Sequence, residues 1–107
     1  MTGKLNIALI GAGGIGRRWA KALNSVNDIN LSIIVDKEQE KATNAANEYK
    51  KSKSEITNDY KDILERENVA AAIVAVPHKF LAQISKDFLL AGKHVLVEKP
   101  CGINSEE

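Results

Sequence analysis

The sequence predicts an α/β fold in which a doubly wound parallel sheet of order 3-2-1-4-5 carries helices on both faces. Short apolar runs alternate with amphipathic segments along the chain, and a glycine-rich hexad follows the first apolar run. The 107 residues suffice for one domain with a single core but not for a two-domain enzyme or a repeat array. We therefore expect residues 1–107 to form one domain.

The composition is that of a soluble globular domain. Hydrophobic residues make up 44% of the chain and charged residues 27%, which excludes an intrinsically disordered protein. The formal net charge of +1 provides no field for binding nucleic acid, and no apolar run approaches the roughly 20 residues of a membrane span. A single cysteine, Cys101, can form neither an internal disulfide nor a CxxC pair. We expect a cytoplasmic protein without metal, nucleic-acid or membrane partners.

The first third of the chain predicts a strand, a helix and a second strand. Residues 5–10 form an apolar run closed by glycines, which is typical of a strand buried on both faces. The next apolar residues have the spacing of one helical face: Ile15, Trp19, Ala22, Leu23 and Val26. Residues 31–35 are rich in β-branched side chains and end at Asp36, which predicts the second strand.

Residues 37–67 are about half charged, which indicates solvated outer elements. One helix has a narrow apolar stripe of Ala42, Ala45, Ala46 and Tyr49. Ile56 is the best candidate for a short edge strand, and Asp59 is the expected cap of a brief helix through Leu64.

The last third predicts a strand, a helix and a strand. Residues 69–76 stop before Pro77 and favour a strand, although their alanines are also compatible with a helix. A helical face follows, made of Phe80, Leu81, Ile84, Phe88 and Ala91, and Gly92 has the type and position of a C-cap. Residues 94–97 predict a fifth strand. A sixth strand expected beside it is not accounted for, so the domain reads as truncated, with the fifth strand left at an edge.

The hexad Gly11-Ala12-Gly13-Gly14-Ile15-Gly16 matches G-x-G-x-x-G between a predicted strand and a predicted helix. In a dinucleotide site the first glycine permits the tight turn and the second lets backbone amides approach a pyrophosphate. The third glycine lets helix and strand pack closely. The pyrophosphate would sit at the positive end of the helix dipole. The alternatives are a tight turn without a ligand and a site for S-adenosylmethionine or another nucleotide.

Asp36 lies twenty residues after Gly16, which is about the distance at which a dinucleotide fold places a carboxylate on the adenosine ribose. A carboxylate at that point repels a 2′-phosphate, so NAD is favoured over NADP, although Lys37 could weaken the discrimination. The alternative role for Asp36 is the N-cap of a helix beginning at Lys37, and both roles are compatible.

Other candidate residues follow the predicted fourth and fifth strands. The carboxyl ends of parallel strands meet at one edge of a sheet, so we expect Val76, Pro77 and His78 to lie there with Glu98 and Lys99. This is the side on which the nicotinamide would lie.

A lysine beside the nicotinamide can exchange a proton with a substrate hydroxyl while hydride moves. This requires that its pKa fall from about 10.4 toward about 7–8. The alternative is that Lys99 is a surface lysine paired with Glu98.

The run AGKHVLVEKP at 91–100, together with Val76-Pro77 and the glycine hexad, resembles the glucose–fructose oxidoreductase and inositol dehydrogenase (Gfo/Idh/MocA) family. The resemblance spans nearly the whole chain and implies a Rossmann-type NAD(P) domain. In that family the lysine of the EKP string contributes to substrate binding and proton transfer, a role that falls on Lys99, while Glu98 and Pro100 shape the nearby turn. The implied reaction is hydride transfer between NAD(P) and a hydroxyl carbon, most often of a sugar, cyclitol or related polyol.

The same resemblance implies a second, substrate-binding α/β domain that is absent from residues 1–107 and that mediates homo-oligomerisation. We therefore expect the 107-residue chain alone to bind NAD weakly at most and to turn over no substrate. The second hypothesis is a stand-alone regulatory module that senses NAD without chemistry. The lysine of the EKP string favours the enzyme, because a sensor needs no lysine at the nicotinamide end.

One part of the family pattern is broken after the fourth strand. Many members carry Pro-Asn, then two residues, then His; here the Asn position is His78 and the His position is Leu81. His78 could replace the missing polar group near the nicotinamide, and the alternative is a solvated loop histidine.

Overall fold

A computed structural model describes residues 5–97 of the chain. The described elements, in chain order, are β1 (Leu5–Ile10), α1 (Gly14–Ala22), β2 (Ile29–Val35), α2 (Gln39–Glu48), β3 (Glu55–Thr57), α3 (Lys61–Leu64), β4 (Ala71–Val74), α4 (His78–Leu90) and β5 (His94–Val97). A 3-10 turn, Leu23–Ser25, extends α1. Within residues 5–97 no helix has the length and apolar character that crossing a membrane requires.

The described strands form one parallel sheet in the order β3-β2-β1-β4-β5. Every neighbouring pair of strands is parallel. The sheet therefore has the predicted order, with β1 at its centre and the carboxyl ends of all strands at one edge. A register shift between Ile7 and Ala8 on β1, opposite Ser32, is the one irregularity in the β1–β2 pairing.

The core lies on both faces of the sheet, as the apolar run at residues 5–10 predicts. Ile7 and Leu9 of β1 belong to a cluster with residues of α1 and α2. Ala8 and Ile10 belong to a second cluster with Ile63 of α3 and Phe88 of α4. Because successive side chains of a strand point to opposite faces, one short strand supplies both clusters.

The weak elements predicted between residues 37 and 67 are present. Ala42, Ala45 and Tyr49 are buried on the inner face of α2. Ile56 lies in the three-residue edge strand β3. The predicted Asp59 cap is wrong by one residue, because the N-cap of α3 is Tyr60. The Asp59 carboxylate accepts a hydrogen bond from the Lys61 amide at 2.9 Å, in an Asx turn that leads into α3.

Two predicted helical faces are wrong in part. On α1 the buried residues are Gly16, Ala20 and Leu23, whereas Ile15 is 40% exposed and Ala22 is also exposed. Leu23 belongs to the first core cluster and Trp19 and Val26 pack against it, as predicted. Gly16 and Ala20 are buried in place of Ile15 and Ala22, because α1 approaches the sheet through its glycine. On α4, Phe88 is fully buried but Phe80 is 42% exposed. The fourth strand is a strand, as predicted, but covers only Ala71–Val74.

The turn from α4 to β5 is closed by a Schellman motif, as the predicted glycine cap implies. Gly92 has a φ of +83°, in the left-handed region that favours glycine. Its amide donates to the carbonyl of Leu89, and the Lys93 amide donates to the carbonyl of Phe88, both at 3.0 Å.

Lys93 is a buried structural residue that the sequence did not single out. Its side chain crosses to the loop before β4, where Nζ donates to the carbonyl oxygens of Arg66 and Val69. Lys93 is only 7% exposed. The ammonium thus satisfies two backbone acceptors and joins the amino ends of β4 and β5.

Replacement of Lys93 by Met is expected to lower the free energy of unfolding by about 2 kcal/mol, since two carbonyl groups lose their donor. Lys86 of α4 is exposed, so the Lys86→Met variant is the matched control and should change stability by less than about 0.5 kcal/mol. Urea unfolding of both variants checks the prediction. Equal stability of the two variants would show that Lys93 is not a structural lysine.

Candidate functional site

The candidate site lies where the carboxyl ends of β1, β2 and β4 meet. The amide of Gly11 donates to the carbonyl of Val35 at the end of β2 at 2.8 Å. On the other side, the Ala75 amide donates to the carbonyl of Ile10 at 2.7 Å. The glycine loop therefore leaves the sheet held between its two neighbouring strands.

Two glycines of the hexad are required by the protein itself. Gly11 has a φ of +96°, and a Cβ built on it would lie 2.4 Å from the carbonyl oxygen of Ala75. A Cβ on Gly16 would lie 2.1 Å from the carbonyl oxygen of Gly11. These contacts give the first and third glycines the predicted roles of tight turn and close helix–strand packing.

The middle glycines are not required by anything in the described chain. Gly13 has a φ of −73°, which any residue can adopt, and a Cβ built on Gly13 or Gly14 meets no atom within 4 Å. No side chain caps α1, and its first turn contains no acidic residue. The loop thus leaves an open space beside backbone amides at the positive end of α1. This arrangement fits the pyrophosphate of a dinucleotide.

Asp36 fastens the glycine loop to the end of β2. Its Oδ2 accepts a hydrogen bond from the Ala12 amide and its Oδ1 one from the Glu38 amide, both at 2.8 Å. The predicted N-cap role is wrong, because α2 begins at Gln39 and its N-cap is Glu38. The carboxylate is partly buried at the cleft edge, where a ribose hydroxyl could still donate to its remaining lone pairs.

The predicted residues after β4 occupy the opposite side of the glycine loop. Val76 is half-buried and packs against the second core cluster. Pro77 is the N-cap of α4, and His78 is the first residue of that helix. Leu81, at the family's His position, also packs against the second core cluster. The leucine therefore serves the core of this domain.

Phe80 lies beside the end of β2, which the sequence did not predict. The Nζ of Lys37, the residue after Asp36, lies 5.5 Å from the centroid of the Phe80 ring. The Nζ of Lys79 lies 5.1 Å from the same centroid. The sequence did not predict this contact because Phe80 has the spacing of a buried helical face. The sequence signal for it is the presence of Lys37 and Lys79 near the ends of β2 and β4.

The predicted residues Glu98 and Lys99, and Pro100 of the EKP string, lie outside the described residues. β5 ends at Val97, whose partner in the sheet is Val74 at the end of β4. The described chain thus reaches the last residue of β5 at the same edge as the glycine loop.

Comparison with known proteins gives consistent results. A family model for an oxidoreductase family with an NAD-binding Rossmann fold, Gfo/Idh/MocA, matches residues 5–107. The chain is 33% identical over 101 residues to glucose-6-phosphate 3-dehydrogenase of Bacillus subtilis, covering 94% of this chain and 27% of that protein. It is 31% identical over 96 residues to 4-carboxy-2-hydroxymuconate-6-semialdehyde dehydrogenase of a Sphingobium species. That match covers 90% of this chain and 30% of that protein.

Among solved structures, GenD2 from gentamicin A biosynthesis, determined in complex with NAD, superposes with a TM-score of 0.82 at 28% identity. The match covers 94% of this chain and 28% of GenD2. The chain spans about a quarter to a third of the length of its curated relatives. With the sheet order, the glycine loop and the family match in agreement, the chain belongs to the Gfo/Idh/MocA oxidoreductase family and forms its NAD-binding Rossmann domain.

Proposed function

We propose that this chain is the N-terminal cofactor domain of a longer NAD-dependent oxidoreductase. The intact enzyme would transfer hydride between the nicotinamide and a hydroxyl carbon of a sugar, cyclitol or related polyol. The observation that carries the proposal is the unfilled space at Gly13 and Gly14 beside the uncapped start of α1. Neither backbone conformation nor packing explains Gly13, whereas a pyrophosphate held against the loop does.

The roles of the remaining residues follow from their positions around that space. Residues 11–16 would hold the pyrophosphate through backbone amides, and Asp36 would accept hydrogen bonds from the adenosine ribose. Residues 76–78 would form the nicotinamide side of the cleft with Glu98. When bound, the nicotinamide supplies the hydride acceptor or donor, and Lys99 would move the proton of the substrate hydroxyl.

The substrate pocket would be supplied mainly by a second domain of the intact enzyme. Support comes from the relatives, which are about three to four times as long as the matched segment. The names of these relatives include a sugar phosphate and a carboxy-hydroxymuconate semialdehyde as substrates. Within that range we propose a polyol or sugar, and a homo-oligomer assembled through the second domain.

The Asp36→Asn variant tests the proposed cofactor preference. Asparagine keeps one oxygen that can accept from the Ala12 amide, loses the acceptor of the Glu38 amide, and removes the charge that repels a 2′-phosphate. We expect the ratio of NADP affinity to NAD affinity to rise about tenfold. Calorimetric titration of the full-length protein with each cofactor measures both constants.

Glu40 of α2 is exposed, so the Glu40→Gln variant is the matched control for the loss of one negative charge and should leave the ratio unchanged. A wild-type protein that binds NADP more tightly than NAD would contradict the interpretation of Asp36. A wild-type protein that binds neither cofactor would overturn the proposed function.

A further inference from the structure

Phe80 is a partly exposed aromatic residue that lies outside both core clusters of the described chain. It lies in the first turn of α4, is 42% exposed and belongs to neither core cluster. Its ring instead faces two ammonium groups, those of Lys37 and Lys79, at 5.5 and 5.1 Å from its centroid. Both distances are within the range of a cation–π interaction.

Lys37 is the lysine whose charge could most directly offset that of Asp36 in the choice between NAD and NADP. It follows Asp36 directly in the sequence, yet among the described residues it forms an ion pair with no carboxylate. An ammonium group free to move to the Asp36 carboxylate would offset its charge and could pair with a 2′-phosphate. In the structure the group lies over the Phe80 ring instead.

The next lysine along the chain, Lys41, is also engaged. Its Nζ lies 3.0 Å from Oε2 of Glu38. This hydrogen bond, with the charge of Glu38, holds the pKa of Lys41 above its usual value. The charge of Asp36 raises the pKa of Lys41 further, as the smallest of these effects. The direct contact of Lys37 is thus with the Phe80 ring, and that of Lys41 is with Glu38.

We propose that Phe80 is a specificity-determining residue that holds the Lys37 ammonium over its ring and so preserves the preference for NAD. This inference rests on the proposed NAD-binding function of the domain. With Lys37 on the ring, the Asp36 carboxylate faces the ribose without the Lys37 ammonium beside it and repels a 2′-phosphate. Without the ring, Lys37 can turn to the phosphate, and the penalty against NADP becomes smaller.

The test compares NAD and NADP dissociation constants of the full-length protein in four forms: wild type, Phe80→Leu, Phe80→Tyr and Phe80→Leu with Lys37→Met. A cation–π contact at an exposed site is weak, so the Phe80→Leu variant should bind NADP about two- to fivefold more tightly. Its NAD constant should not change. The Phe80→Tyr variant keeps an aromatic face and should match wild type, and Lys37→Met should cancel the gain of Phe80→Leu.

The outcomes separate this inference from the proposed function. If wild type binds NAD but Phe80→Leu leaves the ratio of the two constants unchanged, Phe80 does not set specificity. If Phe80→Leu weakens both cofactors equally, the ring contacts the shared adenosine and the inference is wrong. If the gain persists after Lys37→Met, Lys37 is not the group that Phe80 holds. A wild-type protein that binds neither cofactor overturns the proposed function and this inference with it.

Discussion

The Gly16→Ala variant is expected to lose about 3 kcal/mol of stability, because its new methyl group meets backbone that cannot move. The Cβ would lie 2.1 Å from the carbonyl oxygen of Gly11 and 2.9 Å from its carbonyl carbon. The Gly11 amide in turn donates a hydrogen bond to the Val35 carbonyl, and its Cα packs against the Ala75 carbonyl. The clash therefore separates α1 from the sheet or displaces three strand ends together. Urea unfolding of the variant and of wild type measures the loss.

The Gly13→Ala variant of the same loop is the matched comparison and should behave in the opposite way. Its Cβ meets no atom of the described chain within 4 Å, and its φ of −73° suits alanine, so stability should change by less than about 1 kcal/mol. The methyl group would instead occupy the space of the pyrophosphate. We expect NAD affinity to fall about 10- to 100-fold.

The two glycine variants together test the roles of Gly13 and Gly16 in the loop. A Gly13→Ala protein that is stable and binds NAD as wild type would show that the open space at Gly13 does not take the pyrophosphate. A Gly16→Ala protein as stable as wild type would show that α1 can move away from Gly11. Close packing would then not be the reason that position 16 requires glycine.

The strands could be predicted from the sequence because burial on both faces leaves a simple signal. Residues 5–10 and 94–97 have the predicted boundaries. The alternate residues of 5–10 enter two cores, whereas 94–97 lies at the sheet edge, where Val95 and Val97 pack against the second core cluster and Leu96 is exposed. The chain order of strands and helices, with right-handed crossovers, then leaves few topologies, and the glycine loop identifies the first strand.

The helix faces were harder to predict, because a helical spacing identifies apolar residues without saying which are covered. Ile15 continues the apolar spacing of α1, but the close approach at Gly16 turns that helix and leaves Ile15 exposed. Phe80 continues the spacing of α4, but at this end of the helix its neighbour Leu81 packs against the core, and Phe80 is 42% exposed beside Lys37 and Lys79. Contacts with the ends of other elements decide both cases.

Long-range polar contacts could not be predicted from spacing at all. The motif predicts that Asp36 binds the ribose. It does not predict that the Asp36 carboxylate accepts a hydrogen bond from the Ala12 amide, 24 residues away. The bonds of Lys93 to carbonyl groups 24 and 27 residues away are of the same kind. Such contacts depend on the register of parallel strands, which the sequence pattern alone does not determine.

The Lys99→Ala variant of the full-length protein is expected to lower kcat/KM by about 10²- to 10⁴-fold, the range that one proton-transfer group contributes. NAD affinity should stay within about twofold of wild type, because the proposed pyrophosphate and ribose contacts follow β1 and β2 rather than β5. Steady-state kinetics on a panel of polyols and sugars, with calorimetric NAD titration, measures both quantities.

The Lys99→Arg variant separates proton transfer from simple charge. Arginine keeps the positive charge but does not release a proton near neutral pH, so a proton-transfer role predicts an arginine variant about as slow as the alanine variant. If Lys99 transfers the proton, its ionisation contributes to the pH dependence of kcat/KM in wild type. That contribution should disappear from the pH profiles of both variants. Turnover retained by Lys99→Ala would refute the assignment. An active Lys99→Arg variant would reduce the role of Lys99 to substrate binding, because charge alone would then be sufficient for the rate.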